Sequence, residues 1–301
     1  MKKTFLRLVG VLFATLWTLT LAAQVYTPTE ADSVAFANAE WKILYDKDGL
    51  TAKWAQIKMF ESTQSISVVE YPQSNYKTVI AQVEEGERIR TSDLAERFGA
   101  TAAINAGYFI VKTVRPSTYL RLDGEQIAFG ERNEDYRVNG VVAVEPMDVF
   151  SHEHATCHTI SPKYKNILAT GPVLMENGEV IDHGNAQGYG MQQRHPRSFI
   201  GYKKNGNVVM VTVDGRFPGQ GEGENLTEMS FVSKMLGMDE SINLDGGGSA
   251  TLWVEEYGIC NHPYDNKVFD HGGERIVTNA IVAVKRNFWQ RIGYAIGNLF
   301  R

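Results

Sequence analysis

Asp245 ends a short apolar run and is followed by three consecutive glycines, Gly246, Gly247 and Gly248, and then by Ser249. Without a Cβ the chain takes positive φ readily and lets a ligand approach backbone N–H groups, which together form a small concavity that favours anions. A carboxylate at the rim of such a nest is placed to act on whatever the nest holds. Read alone, the same residues are a glycine-rich turn between two strands with a solvated Asp at its edge. The remaining chemistry-bearing residues shift that balance. They are Asn105 inside a small apolar run, Asp214-Gly215-Arg216 after the run 208–213, Glu228 at a helix start, and Arg194 and Arg197 around Pro196. Arginines with backbone N–H groups suit a phosphate or another oxyanion, and carboxylates supply a base, a nucleophile or a clamp on sugar hydroxyls.

Strand and turn signals supply the scaffold. Residues 50–60 and 64–71 read as paired strands, the second rich in Ile66, Val68 and Val69 and closed by Pro72. Residues 24–48 read as a polar tail leading to one element at 40–45. A strand follows at 77–84, a short helix at 92–98 stopped by Gly99, and a buried strand ending at Asn105. Residues 114–138, with Gly130 and Arg132, read as loop, and 138–144 as strand. Asn177-Gly178 and Asn205-Gly206 mark hairpin turns, the first inside a strand running over 169–180. The glycine-rich stretch 185–193 is without pattern and reads as a loop over a pocket. Asn225 and Glu228 have the spacing of a capping box for a helix with Met229, Val232, Met235 and Leu236 on one face, so the Asn225-Leu226-Thr227 glycosylation triplet is discounted. Strands at 249–254 and 277–284 complete the set. The expected fold is α+β: a mixed, mainly antiparallel β-sheet core with a few packed helices.

Two histidine-bearing and cysteine-bearing features need weighing. In an extended chain His152, His154, Thr156 and His158 share a face, but the separated second half of a zinc motif is missing, so exposed or hydrogen-bonded histidines are the reading. Cys157 and Cys260 fit either a disulfide in an oxidising compartment or two buried thiols.

The chain has 301 residues, 43% of them hydrophobic, with a net charge of −5. Lys2, Lys3 and Arg7 precede an apolar run over 8–21 and Ala22-Ala23, the pattern of a secretory signal peptide over 1–23. Its removal takes three cations and leaves a net charge of −8, which argues against nucleic-acid partners. An exported protein, periplasmic or extracellular, is expected, with membrane contact not expected once the leader is gone. The tail 285–301 repeats Phe288, Ile292, Ala295, Ile296 and Leu299 at helical spacing beside Lys285, Arg286, Arg291 and Arg301. This basic amphipathic helix is expected to pack on its own domain or on a partner subunit in a homo-oligomer, with lying on a membrane surface as the lesser alternative.

Several short segments, in order, carry a resemblance. They are Ile104-Asn105-Ala106-Gly107-Tyr108-Phe109, Thr170-Gly171-Pro172, Arg197 before its strand, Val213-Asp214-Gly215-Arg216, Leu226-Thr227-Glu228-Met229, Asn243-Leu244-Asp245-Gly246-Gly247-Gly248-Ser249 and Asn279-Ala280-Ile281. Together they resemble the phosphodiester glycosidase family over residues 100–284, with 24–99 as an N-terminal region. The resemblance implies a hydrolase that cuts between a sugar's anomeric carbon and a phosphate oxygen. It implies Asp245, Glu228 and Asp214 as catalytic residues, and Asn105, Arg197, Arg216, Gly246, Gly247, Gly248, Ser249 and Thr227 as contacts to a sugar phosphate or glycan. No cofactor is required by this reading. Two alternatives stand beside it: a non-catalytic module binding envelope polysaccharide, and a phosphodiesterase using a divalent metal on Asp214, Asp245 and Glu228.

Overall fold

The computed structural model describes residues 26–84, 86–129, 137–183 and 192–298. The expected leader 1–23, Gly130, Arg132, the glycine-rich stretch 185–191, Leu299 and Arg301 lie outside these residues. Sheets are the scaffold, with 42% of the described residues in strands and 17% in helices, and the mainly antiparallel core expected from the sequence is present.

The largest sheet has eight strands, in the order Lys42–Lys47, Leu50–Met59, Ser62–Pro72, Asn207–Asp214, Arg197–Tyr202, Glu240–Asn243, Val173–Glu176 and Glu179–Val180. All its ladders run antiparallel. A five-stranded sheet joins Gly258–Ile259, Leu252–Val254, Ala102–Asn105, Asn279–Lys285 and Tyr76–Gln82, and a second one joins Glu125–Ala128, Leu120–Leu122, Asn166–Thr170, Gly140–Val144 and Asp148–Ser151. One core cluster, including Tyr71, Ile104, Leu168, Met210, Ile242, Leu252 and Ile281, draws on all three sheets. On the other face of the large sheet Phe199, Val211 and Leu174 pack against Met229 and Val232 of the helix Leu226–Met235. Each such side chain contributes about 1.5–3 kcal/mol when fully buried.

Local chemistry explains the turns. Asn177 and Gly178 both hold positive φ, 54° and 77°, which a two-residue hairpin requires. The capping box at Asn225 forms as spaced, with the Asn225 side chain accepting from the Glu228 N–H and the Glu228 carboxylate accepting from the Asn225 N–H.

Four local readings differ from the structure. Residues 114–138, read as loop, carry the short strands Arg115–Pro116, Leu120–Leu122 and Glu125–Ala128, the last two in a five-stranded sheet. Thr29 and Asp32 form a second capping box for a helix over Glu30–Ala37, where the sequence reads as tail. Its only buried apolar residue is Phe36, so no periodic face announces it. The strand expected over 169–180 is three strands in two sheets, because Pro172 has no N–H for a ladder and Gly171 (φ 146°) turns the chain where a Cβ would lie 2.8 Å from the Arg137 carbonyl, with the hairpin of Asn177 and Gly178 after it. The shared histidine face is absent, since His154–Thr159 winds into a 3₁₀ helix; His154 is buried and accepts the Tyr119 N–H at 3.1 Å. Cys157 and Cys260 are free, buried thiols.

Candidate functional site

The site begins at one edge of the large sheet. Arg197 pairs with Val213 and Phe199 with Asn243, so the start of the central strand and the ends of both neighbours meet there. Asp214 to Arg216 and Asn243 to Gly248 therefore leave the sheet side by side with His195 to Arg197. The strand Ala102–Asn105 ends against the same edge. The buried Asn105 carboxamide ties them together: its Nδ2 donates to the Asp245 carbonyl at 2.6 Å, and its Oδ1 accepts from Ser198 Oγ at 2.7 Å and from the Thr251 N–H at 3.1 Å. The Asp245 N–H donates to the Ala106 carbonyl and the Gly247 N–H to the Pro196 carbonyl, both at 2.8 Å.

Asn105 thus positions the loop through three hydrogen bonds in a fully buried site. Replacing it by Ala leaves those partners unsatisfied, each at about 1–3 kcal/mol. Asn105→Ala is expected to lower unfolding free energy by about 3 kcal/mol, read as a lower urea midpoint at unchanged slope. A midpoint within error of the native chain removes this role.

Asp245 sits among positive charge. Burial pushes its carboxyl up to about 6, against the opposing pull of the Ser249 hydroxyl, Arg275, the Gly246 N–H and Arg137. Arg275 comes from the stretch before the strand Ile276–Val277 and forks onto Asp265, with Nε 3.0 Å from both oxygens and Nη2 2.5 Å from Oδ1. That pair lies directly on Gly248, whose Cα direction has no room for a side chain: a Cβ would come to 2.2 Å from Asp265 and 2.4 Å from Arg275. Gly247 holds φ 64°, and a Cβ there would lie 3.5 Å from an Arg216 Nη atom. Arg216 itself is exposed, places Nη2 3.4 Å from His195 Nδ1, and lies over the Tyr264 ring.

Arg197 is placed differently. It is buried, and it donates from Nε to the Glu224 carbonyl and from Nη2 to the Gln193 carbonyl, both at 2.9 Å. Burial lowers its guanidinium to about 10, which leaves it cationic at neutral pH. Its charge backs the loop, and its hydrogen bonds hold the neighbouring segments.

Glu228 is fully buried and caps its helix while Arg194 forks onto it at 2.6, 3.0 and 3.1 Å. Burial raises its pKa, opposed by Arg194 and the Asn225 N–H. Thr227, in the first turn of that helix, is half-buried. Next to this pair is Glu224, a wholly buried carboxylate that burial and Glu228 push well above the usual range.

Asp214 is also buried and accepts four hydrogen bonds: from Ser65 Oγ at 2.6 Å, Asn261 Nδ2 at 3.1 Å, the His262 N–H at 2.7 Å and His262 Nδ1 at 2.8 Å. It orients the His262 ring, which stacks on Phe269 at 3.8 Å between centroids. Among the described residues no three His, Cys, Asp or Glu side chains gather to hold a metal, and Asp214, Asp245 and Glu228 occupy three separate hydrogen-bond networks.

The edge thus brings together Asn105, Arg216, Asp245, the three glycines and Ser249, with Arg197 behind them and Asp214 and Glu228 in flanking networks. Sequence reasoning missed Arg275, Arg137, Asp265 and His262. Each stands in a loop without periodicity, and the Glu274-Arg275 dipeptide beside the Gly272-Gly273 turn was the only local signal.

Fold and site define a mainly antiparallel β protein that presents a carboxylate and a glycine nest, ringed by guanidiniums, at a sheet edge. Residues 98–284 match the phosphodiester glycosidase family, and the chain belongs to it. It is 25% identical over 193 residues to the N-acetylglucosamine-1-phosphodiester alpha-N-acetylglucosaminidase of Bos taurus, covering 60% of this chain and 36% of that protein. It is 28% identical over 167 residues to an uncharacterized SPbeta prophage-derived protein of Bacillus subtilis, covering 52% of this chain and 25% of the other. The chain therefore spans about a third or less of the length of these relatives. Among solved structures, the catalytic domain of the zebrafish N-acetylglucosamine-1-phosphodiester alpha-N-acetylglucosaminidase shares the fold, with a TM-score of 0.60 at 17% identity over 82% of this chain and 88% of that one. A candidate exported protein of Burkholderia pseudomallei shares it with a TM-score of 0.51 at 14% identity, over 78% of this chain and 74% of the other.

Proposed function

We propose that the protein is an exported hydrolase that releases a sugar from an α-linked sugar phosphodiester by breaking the bond between the anomeric carbon and the phosphate oxygen. The observation that carries this reading is the Asp245 carboxylate at the rim of the Gly246–Gly248 loop with Arg275, Arg137 and Arg216 around it. A phosphomonoester is a good leaving group at neutral pH, so strong acid catalysis is dispensable. Arg216 and Arg275 neutralise the phosphate, and the loop N–H groups take an oxyanion or a sugar hydroxyl. Asp245, with a pKa of about 6, is mostly ionised at pH 7. It takes a proton from the attacking water as the C–O bond breaks, or attacks the anomeric carbon itself. Asp214 and Glu228 act from behind, the first through His262 and the second through Arg194. Among the described residues no helix is long and apolar enough to cross a membrane.

Hydrolysis of α-sugar phosphodiesters in ¹⁸O-water tests the bond. Label in the released sugar is the expected result. Label in the phosphate assigns phosphorus–oxygen cleavage and overturns the reading, as does a protein that binds these diesters without turning any over.

A further inference from the structure

The helix Phe288–Asn298 has its amphipathic pattern turned outward. At 100° per residue Phe288, Ile292, Ile296 and Trp289 share one face, Gln290 and Tyr294 lie opposite, and Arg291 stands on the flank, about 60° from Phe288. The body is met by the polar side. Arg291 and Tyr294 are half-buried, and the Arg286 guanidinium lies 4.8 Å from the Tyr294 ring centroid. Phe288, Trp289, Ile292 and Ile296 keep 68%, 76%, 37% and 51% of their surface exposed, and none of them joins a core cluster. The root of the helix is firmly held: Arg286 forks onto Glu145 at 2.5 and 2.7 Å and donates to the Gln73 carbonyl, and Lys285 pairs with Asp48. The body therefore presents this apolar face to solvent on an anchored stalk.

We propose that this face docks on the surface of an anionic phospholipid bilayer, the helix lying flat with Phe288, Trp289, Ile292 and Ile296 among the acyl chains. Charge selects this occupant. Residues 285–301 carry Lys285, Arg286, Arg291 and Arg301 without a single Asp or Glu, in a chain whose net charge is −5. Aromatic and aliphatic residues on one face with cations beside them are the composition of an interfacial helix. A second copy of the chain fits less well. Two aromatics and two isoleucines offer roughly 500 Å² per partner, short of the ~800 Å² of a stable interface. Pairing would also set two cation-rich segments against each other. Lys285 and Arg286 are already engaged by the body, so apolar insertion supplies most of the attachment and Arg291 with Arg301 its preference for negative lipid. The proposal is independent of the reaction assigned to Asp245.

Vesicles of phosphatidylcholine with and without phosphatidylglycerol, made with brominated acyl chains, test it on the full chain. Trp289 is read as the difference in fluorescence quenching between the native chain and Trp289→Phe, which separates this helix from any contact made by the leader. Quenching of Trp289 on phosphatidylglycerol vesicles, weakened by Arg291→Glu and reduced about tenfold or more in apparent affinity by Ile292→Ser with Ile296→Ser, is expected. These positions are exposed, and an unchanged far-ultraviolet spectrum and melting point accompany the result. Absence of Trp289-dependent quenching overturns the proposal. So does a dimer in light scattering that the serine variants dissolve, which assigns the face to a second copy.

Discussion

Asp245→Asn is expected to lower kcat on an α-sugar phosphodiester by about a thousandfold, the scale of removing a positioned base or nucleophile, with KM changed little. The substitution keeps size and polarity, so the loop hydrogen bonds from the Asp245 backbone to Ala106 and Asn105 persist. It removes only the charge that Arg275 and Arg137 face. The native pH profile is expected to rise through an apparent pKa of about 6, because the reactive form is the ionised one and burial has lifted the group that far from 3.8. The Asn variant lacks that limb. Stability moves the other way. A carboxyl whose folded pKa is raised binds its proton more tightly in the native state, so its contribution is present below about pH 4 and is lost as pH rises through about 6. The Asn variant, free of this loss, gains stability relative to the native chain over that same window. Full activity of Asp245→Asn, or a profile unaffected by it, removes Asp245 from the chemistry.

Gly215→Ala is the second large effect, and it acts on folding. A Cβ at Gly215 would stand 2.3 Å from the Pro196 N and 2.6 Å from the His195 carbonyl carbon. Both obstacles are backbone, so no rotamer relieves the clash and the segments carrying Arg216 and Arg197 must part. The expected loss is about 3 kcal/mol, the upper range for overpacking, and kcat/KM falls with it. Gly219→Ala is the matched control. Its φ is 72° with nothing within 4 Å of the added carbon, so only left-handed strain of about 1 kcal/mol applies. Equal urea midpoints for the two variants contradict the close approach.

Elements whose information is local were legible. The paired strands Leu50–Met59 and Ser62–Pro72 show in their β-branched residues and closing Pro72, and the helix Leu226–Met235 in its capping box and apolar spacing. Asp32 shows the limit. It caps its own helix and also accepts the Phe60 N–H, 28 residues away, a contact no window around Thr29 contains.

The site divides along the same line. Residue type and local spacing were enough to single out Asp245 with its glycines, Asn105, Asp214-Gly215-Arg216 and the Asn225–Glu228 cap, because a glycine nest, a strand end and a capping box are each properties of a few adjacent residues. Which charges surround Asp245 was decided by the tertiary structure alone. Arg275 reaches Gly248 while paired to Asp265, and Arg137, just before a strand of another sheet, acts on the Asp245 carboxyl. Arg197 and Glu228 look in sequence like site residues of the same rank as Arg216 and Asp245. Burial separates them: an ion sealed from water must be held by fixed partners, as Arg197 is by carbonyls and Glu228 by Arg194, whereas Arg216 is left facing solvent.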